Sequence, residues 1–266
     1  RRLFGHGKYK HIVFDIGGFN SAKEKGKALK LMQFASKSLD GVIYHTKSQI
    51  TYYEKCHPWL LPKSRYIAFG TDAEYFQPTG TPIEKENPYI LCVGYNKRDW
   101  DTLLQAYEKL RNLQKGGNQD GFVDFPKLKL IGKEKLDREY DGVEIVGFIP
   151  VTQLIKEIEK ATFCVLPLQS FNYSFGQMTL LQQMLLKKAV IAANVPSLRD
   201  YVTDGQDCLL YEPENVEQLA EQMERLIKDP EFSRQLGENA MQSVREKWNE
   251  KRMAQDIWEF CRKIVG

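Results

Sequence analysis

The clearest pattern of apolar and polar positions lies between residues 163 and 214. The apolar run 163–167 predicts a buried strand, and a helix-period segment that follows places Met178, Leu181 and Leu185 on one face. Further apolar runs at 189–192 and 208–211 predict two more strands. The order strand, helix, strand predicts a βαβ unit of a parallel sheet.

The same alternation of strands and helices runs through residues 1–76. Strands are predicted at 11–15, 41–45 and 65–69, and helices at 22–39 and 48–55. The longer helix has apolar residues at helical spacing, namely Ala28, Leu31, Met32, Ala35 and Leu39. This order predicts the latter part of a doubly wound α/β domain without its first strands. Because residue 1 is Arg and the first methionine is Met32, we expect a fragment that lacks its true N-terminus.

A segment rich in Pro, Gly and charge, residues 78–88, is the best candidate for a linker because it has no apolar period. It divides the predicted domain at 1–77 from a second doubly wound domain at 89–248. The second domain has predicted strands at 89–93, 127–131 and 143–146 and helices at 100–113, 152–161, 214–227 and 230–248, with a surface insertion at 114–124. A last helix is predicted at about 250–265.

The turn before the predicted helix near 177 has the chemistry of an anion site. A turn containing Ser174 and Gly176 that leads directly into a helix leaves backbone N–H groups unpaired at the positive end of the helix dipole. Such a helix end commonly binds a phosphate. The alternative interpretation is that the turn has only a structural role. A second loop with positive charge, containing Lys97 and Arg98, follows the strand predicted at 89–93.

The residues 174–184 (Ser-Phe-Gly-Gln-Met-Thr-Leu-Leu-Gln-Gln-Met), together with Lys188-Ala189-Val190-Ile191, Asp204-Gly205 and 209–213, resemble the donor-nucleotide half of the GT-B glycosyltransferases of family 4, which are retaining enzymes. The order of landmarks is similar to that family from about Asp40 to the C-terminus. The resemblance implies a GT-B fold: an α/β protein of two doubly wound Rossmann-like domains, here with the N-terminal one incomplete. It also implies that the last helix, at 249–266, crosses back to the N-terminal domain.

The resemblance implies which residues bind the donor. Backbone amides around the helix start would bind the diphosphate, with Arg98 and Lys97 supplying positive charge that offsets charge on the leaving nucleotide. Arg98 matches the second basic position of the family, while Tyr95 or Asn96 occupies the first. The implied donor-binding residues are Gly94, Lys97, Gly147, Phe148, Ile149, Phe175, Gly176, Gln177, Met178, Thr179 and Gln182, and the implied catalytic residues are Arg98 and Ser174.

The family's pair of glutamates is absent from this chain. Gln182 stands where the family has its second glutamate, which binds the ribose hydroxyls, and Ser174 or Tyr173 replaces the first. Gln can still donate to and accept from a ribose diol, but it carries no charge. The backbone of residues 147–149 would bind the base edge, with a structural turn as an equal alternative.

The histidines, His6, His11, His45 and His57, all lie in the first 60 residues, and no G-x-S-x-G turn accompanies them. His45 ends a predicted strand, where both a structural role and a cleft-facing role are open. Retaining enzymes of the family are thought to use the donor phosphate to deprotonate the acceptor, so a side-chain base is not expected.

Composition narrows the remaining choices. Five widely spaced cysteines without a C-x-x-C pair indicate reduced buried thiols and a cytosolic compartment, and neither a metal nor another cofactor is expected. Gly94 belongs to no G-x-G-x-x-G fingerprint, which argues against a nicotinamide-dependent oxidoreductase or epimerase.

Charge is unevenly distributed, with 13 Lys and Arg against 6 Asp and Glu in residues 1–76 and 25 against 29 in the rest. The basic part fits peripheral contact with the inner face of a membrane, or a solvated lysine-rich helix. The expected partners are a nucleotide sugar and a carbohydrate or lipid-linked acceptor, without nucleic acid.

We therefore expect a retaining glycosyltransferase of hexosyltransferase type, active in cell-surface polysaccharide or glycolipid synthesis. The alternative is a noncatalytic nucleotide-binding protein on the same fold, which would bind nucleotide without hydrolysing or transferring the donor.

Overall fold

The computed structural model describes residues 9–19, 24–116 and 125–266. In these ranges the chain forms two parallel sheets with helices packed on them, which confirms the predicted α/β class. The first sheet has the strand order β1-β2-β3. Its strands are β1 (Ile12–Asp15), β2 (Gly41–Tyr44) and β3 (Ser64–Tyr66). We call this sheet and its helices the first lobe.

The helices of the first lobe are α1 (Lys27–Ser36), α2 (Gln49–Cys56) and a 3-10 helix (Pro58–Lys63). β2 is the central strand, and all four of its residues are buried. A parallel strand covered on both faces needs a continuous apolar run, which is why Val42, Ile43 and Tyr44 follow one another.

α1 differs from its prediction in both length and orientation. It begins after Gly26, whose φ of 107° is outside the helical region, and it ends at Ser36, so it is shorter than the predicted 22–39; residues 22 and 23 lie outside the described residues. Leu29 and Ser36 face the core, whereas Leu31, predicted on the apolar face, is 67% exposed. The apolar spacing predicted a helix correctly, and Met32 and Leu39 pack against the core as predicted, but Ala28, Leu31 and Ala35 of the same predicted face are exposed.

The second sheet has six parallel strands in the order β6-β5-β4-β7-β8-β9. They are β4 (Tyr89–Val93), β5 (Lys127–Ile131), β6 (Val143–Val146), β7 (Phe163–Leu166), β8 (Val190–Ala193) and β9 (Leu209–Tyr211). The chain moves outward from β4 to β6 and then returns to β7 on the other side of β4. This reversal makes the gap between β4 and β7 a topological switch point, where open α/β sheets bind ligands at the carboxyl ends of their strands.

We call this six-stranded sheet and its helices the second lobe. The helices are α3 (Trp100–Gly116), α4 (Val151–Lys160), α5 (Gln177–Leu185), α6 (Pro196–Arg199), α7 (Val216–Lys228) and α8 (Pro230–Lys247). α5 and α7 pack on the sheet, and α8 packs on α5 and α7. α3 continues three residues past its predicted end, so the predicted insertion at 114–124 is helical at its start, and residues 117–124 lie outside the described residues. The core of this lobe lies between sheet and helices, with Ile90, Cys164 and Val190 fully buried on neighbouring strands.

The segment 67–88, between β3 and β4, and the last helix join the lobes. Residues 78–88 form neither helix nor strand, and the buried Glu159 carboxylate on α4 accepts the backbone N–H groups of Thr79 at 2.6 Å and Gly80 at 3.1 Å. The last helix, α9 (Glu250–Val265), returns to the first sheet, where Phe260 packs against Ile43.

The two chain crossings run side by side next to Thr71. The Thr71 N–H donates to the carbonyl of Trp248 at 3.0 Å, and the Glu250 N–H donates to the Thr71 carbonyl at 3.2 Å. A Cβ on Gly70 would lie 2.4 Å from the carbonyl oxygen of Asn249, so only glycine permits this close approach.

Candidate functional site

The loops after β4 and β7 meet at the switch point of the second sheet. Arg98 and Leu168 form an isolated antiparallel bridge, and the Asp99 N–H donates to the carbonyl of Pro167 at 2.9 Å. These contacts bring the loop that carries Arg98 next to the segment that leads into α5.

Arg98 is only 6% exposed, and its guanidinium is held by neutral acceptors. Nε and Nη2 both donate to the carbonyl of Val93, at 2.9 and 2.8 Å, and Nη1 donates to the carbonyl of Asn96 at 3.1 Å. Among the described residues no carboxylate lies within ion-pair distance of this guanidinium. Burial lowers the pKa of Arg98, but arginine stays protonated in proteins, so the side chain keeps its positive charge. A buried positive charge without a counter-ion favours the binding of an anion.

The N-terminus of α5 faces the same guanidinium. Nη2 of Arg98 lies 3.4 Å from Oγ1 of Thr179 in the first turn. Gly176 precedes the helix in the left-handed region, with φ 84°, and no side chain within the described ranges caps the helix start. The first N–H groups of α5 therefore lack side-chain acceptors and lie close to the buried cation.

A cavity of about 400 Å³, which we call the β4/β7 pocket, opens at this point. Eight of the thirteen predicted site residues line it: Gly94, Arg98, Phe148, Ile149, Phe175, Gly176, Met178 and Thr179. Met178 was also predicted on the apolar face of its helix; instead it is 56% exposed, because it belongs to the first turn, which borders the pocket rather than the core.

The other five predicted residues lie outside the lining. The Lys97 ammonium sits 4.4 Å above the ring of Phe171, and the Lys97 backbone is left-handed with φ 57°. Gln177 is buried, and its side-chain Nε2 donates to Oγ1 of Thr46 in the first lobe. Ser174 and Gln182 are half-buried, and Gly147 lies in a loop with open space around its Cα.

The structure adds lining residues that the sequence did not single out as ligands: Val93, Tyr95, Asn96, Ile131, Gly132 and Leu154. Tyr95 and Phe148 form an edge-on aromatic pair, with ring centroids 5.2 Å apart, although they are 62% and 67% exposed. The signal that could have identified Tyr95 is its position directly after a predicted strand that ends at glycine. Ile131 follows from strand order, since β5 neighbours β4.

His45 does not line the pocket. Its ring is buried between Phe14 and Phe69, and Nδ1 lies 2.7 Å from the carbonyl of Ile67, to which it can donate in the Nδ1–H tautomer. Burial lowers the pKa of His45, opposed by this carbonyl. These contacts favour the structural interpretation of the histidine.

Across residues 9–19, 24–116 and 125–266, no group of three or more His, Cys, Asp or Glu side chains could hold a metal ion. No helix in those ranges is both long and apolar enough to traverse a bilayer.

The family model described as glycosyl transferases group 1 matches residues 76–243, which is more than half of the chain. An uncharacterised glycosyltransferase of Methanocaldococcus jannaschii is 32% identical over 126 residues, covering 44% of this chain and 35% of that protein. The alpha-D-kanosaminyltransferase of Streptomyces kanamyceticus is 29% identical over 112 residues, covering 42% of this chain and 28% of that protein. The matched region spans about a third of the length of these curated relatives.

Solved structures share the arrangement of both lobes. A sucrose-phosphate synthase of Thermosynechococcus elongatus superposes with a TM-score of 0.76 at 21% identity, covering 99% of this chain and 69% of that chain. HepE of Anabaena, solved in complex with UDP and glucose, superposes with a TM-score of 0.74 at 15% identity, covering 95% and 70%. These likenesses confirm the GT-B fold that the sequence resemblance implied.

Proposed function

The chain belongs to the family of glycosyl transferases group 1, and on that basis we propose that it transfers a sugar from a nucleoside-diphosphate sugar to a hydroxyl acceptor with retention. The observation that carries this proposal is the buried Arg98 guanidinium, which has no carboxylate partner among the described residues and faces the uncapped start of α5. A diphosphate supplies the negative charge that this arrangement lacks.

The geometry supports a role for both features in leaving-group departure. As the bond from the sugar to the diphosphate breaks, negative charge accumulates on the diphosphate. A fixed guanidinium and fixed N–H groups stabilise that charge without reorganising, because carbonyl acceptors already hold Arg98 in place. None of the described residues lining the β4/β7 pocket is a carboxylate. We assign deprotonation of the acceptor to the donor phosphate, as the family resemblance implies.

The exposed aromatic pair at the mouth of the pocket supports a position for the base. Tyr95 and Phe148 present ring surface next to the predicted base loop at 147–149. Stacking on such rings tolerates any base, since every base has a π-face. The pocket therefore does not by itself select among UDP, GDP and ADP. UDP is the nucleotide bound in the HepE structure.

The experiment measures the melting temperature of the 266-residue chain during titration with UDP, GDP and ADP. At least one of the three should stabilise the wild type. Arg98→Ala should lower the affinity for that nucleoside diphosphate at least about tenfold, because a charge-assisted contact to phosphate is lost. The affinity for the nucleoside with the same base should change less than about twofold. The matched control is Arg138→Ala, which removes an arginine with a half-exposed side chain paired to Glu108. Equal losses of diphosphate and nucleoside would contradict the role given to Arg98.

A noncatalytic nucleotide-binding protein is the second candidate function. It is favoured by the placement of Gln182, and of both candidates for the first glutamate position, Ser174 and Tyr173, outside the pocket lining. This candidate predicts stabilisation by a nucleotide together with neither hydrolysis nor transfer of the matching nucleotide sugar. An anomeric assignment of the product by NMR tests retention if transfer occurs.

We further propose a cytoplasmic role in polysaccharide or glycolipid synthesis, with the first lobe on an anionic membrane face. Support comes from α1, whose outward face exposes Leu31 and Phe34 beside Lys27 and Lys30. Apolar side chains next to lysines fit an anionic lipid surface. Co-sedimentation with vesicles containing phosphatidylserine should exceed that with phosphatidylcholine alone and should fall in a Leu31→Ser, Phe34→Ser variant. Equal sedimentation with both vesicles would refute this surface.

A further inference from the structure

Three consecutive residues at the carboxyl end of β2, 45–47, each bond to a different group of the second lobe. The Tyr201 hydroxyl donates to the carbonyl of His45 at 2.6 Å, and the backbone N–H of Lys47 donates to Asp200 Oδ2 at 2.8 Å. Between them, Nε2 of Gln177 donates to Oγ1 of Thr46 at 3.1 Å. The first lobe is thereby attached to the second at the edge of the β4/β7 pocket.

The Thr46–Gln177 bond is unlike its neighbours because Gln177 is the first residue of α5. Thr46 is fully buried and Gln177 is 3% exposed, so water does not replace the bond if it is lost. An amide left buried without its acceptor is costly, which makes this bond a strong constraint on the first turn of the helix. The residue before it, Gly176, is left-handed and has no side chain, so Gln177 is the first residue of α5 whose side chain can hold the helix start.

We propose that Thr46 is a positioning residue for the donor diphosphate, acting through Gln177. This inference rests on the proposed function. The bond fixes the position of the first turn of α5 next to the Arg98 guanidinium, so that the free N–H groups of the turn and the guanidinium contact the same diphosphate. The diphosphate site of the second lobe is then complete only when the first lobe is docked on it.

The test compares Thr46→Val, which keeps the shape and removes the hydroxyl, with Thr46→Ser, which keeps the hydroxyl. Calorimetric affinities are measured for UDP, GDP and ADP and for the matching nucleosides. Thr46→Val should lower the affinity for the best-binding nucleoside diphosphate by about 5- to 20-fold and that for its nucleoside by less than about twofold. Thr46→Ser should keep most of the wild-type affinity for the diphosphate. The matched control is Lys47→Ala, which removes an exposed ammonium 3.6 Å from Asp200 and should change neither affinity.

A second variant approaches the bond from the other side. Gln177→Met should give the same selective loss, and adding Thr46→Val to it should change the diphosphate affinity by less than about twofold, because both variants remove one interaction. Additive losses, equal losses of diphosphate and nucleoside, or no rescue by serine would overturn the inference. If the wild type binds none of the three nucleotides, the proposed function itself fails; if it binds one and Thr46→Val binds it equally well, only the positioning role fails.

Discussion

Replacing Gln183 with methionine should stabilise the protein, because Gln183 is a fully buried amide on α5 that finds no partner in the described part of the chain. Among residues 9–19, 24–116 and 125–266, neither its Nε2 nor its Oε1 has a hydrogen-bond partner, and the residue has no exposed surface. Its neighbours along the helix, Leu180, Met184 and Leu185, are also fully buried. The amide therefore occupies an apolar environment in which its polar atoms lose the hydrogen bonds that water gives them in the unfolded chain.

The size of the gain follows from these contacts. Burying a polar group without a partner costs about 1–3 kcal/mol in protein mutational data, and methionine has a similar length and an equal helix propensity. Gln183→Met should recover most of that cost. For a chain of this size each kcal/mol raises the melting temperature by about 2–4 °C, so a rise of several degrees is expected.

Urea unfolding provides the assay, with the midpoint expected to increase at unchanged slope. The matched control is Gln182→Met on the next residue, which is half-buried and has no unsatisfied polar atom of this kind, so its midpoint should stay within error. A lower midpoint for Gln183→Met would refute the reasoning, since it would mean that the amide makes a favourable interaction. Nucleotide affinity should be unchanged in Gln183→Met, because this residue does not line the pocket.

Three further predictions concern the joint between the lobes, the base and pH. Gly70→Ala should cost about 1–3 kcal/mol and increase proteolysis near residues 67–77, because the new Cβ would lie 2.4 Å from the carbonyl oxygen of Asn249. Phe148→Ala should weaken binding of whichever of UDP, GDP and ADP the wild type binds best by about 1–3 kcal/mol and leave binding of inorganic pyrophosphate unaffected, as measured by calorimetry. Burial lowers the pKa of His57, so the unfolded state binds protons more readily; stability should be complete above about pH 6.5 and decrease as the pH falls below it.

Each of these predictions has its own control. Gly18→Ala places a Cβ no closer than 3.9 Å to the nearest atom and should leave proteolysis near 67–77 unchanged. Val151→Ala shortens another exposed apolar side chain outside the pocket lining and should not alter binding of the same nucleotide. His57→Phe keeps the aromatic contacts and should reduce the loss of stability between pH 7.5 and 5.5; an unchanged pH profile would exclude His57 as its source.

Sequence patterns predicted the helices and strands better than the faces and contacts through which they pack. The βαβ unit at 163–214 was predictable because buried parallel strands are continuous apolar runs and Gly176 marks the turn into α5. The outward face of α1 was missed, since the spacing of Leu31 and Ala35 fits an exposed stripe as well as a buried one.

The site was predictable where its residues lie in loops directly after predicted strands. The residues around Gly176, Arg98 and Phe148 were found for that reason, and Tyr95 follows the same rule, whereas Ile131 joins the pocket through the strand order, which no local pattern specifies. The bond between Thr46 and Gln177 joins residues 131 positions apart, and neither side chain is unusual in its own segment.

The return of α9 to the first sheet means that the two lobes are connected by more than the covalent chain. A cut near Glu86 would leave Thr79 and Gly80 bonded to Glu159, and α9 would still pack on the first sheet. The pieces on either side of the cut should therefore remain together as a noncovalent complex. The same property makes residues 83–87 a suitable place to divide the protein into complementing fragments.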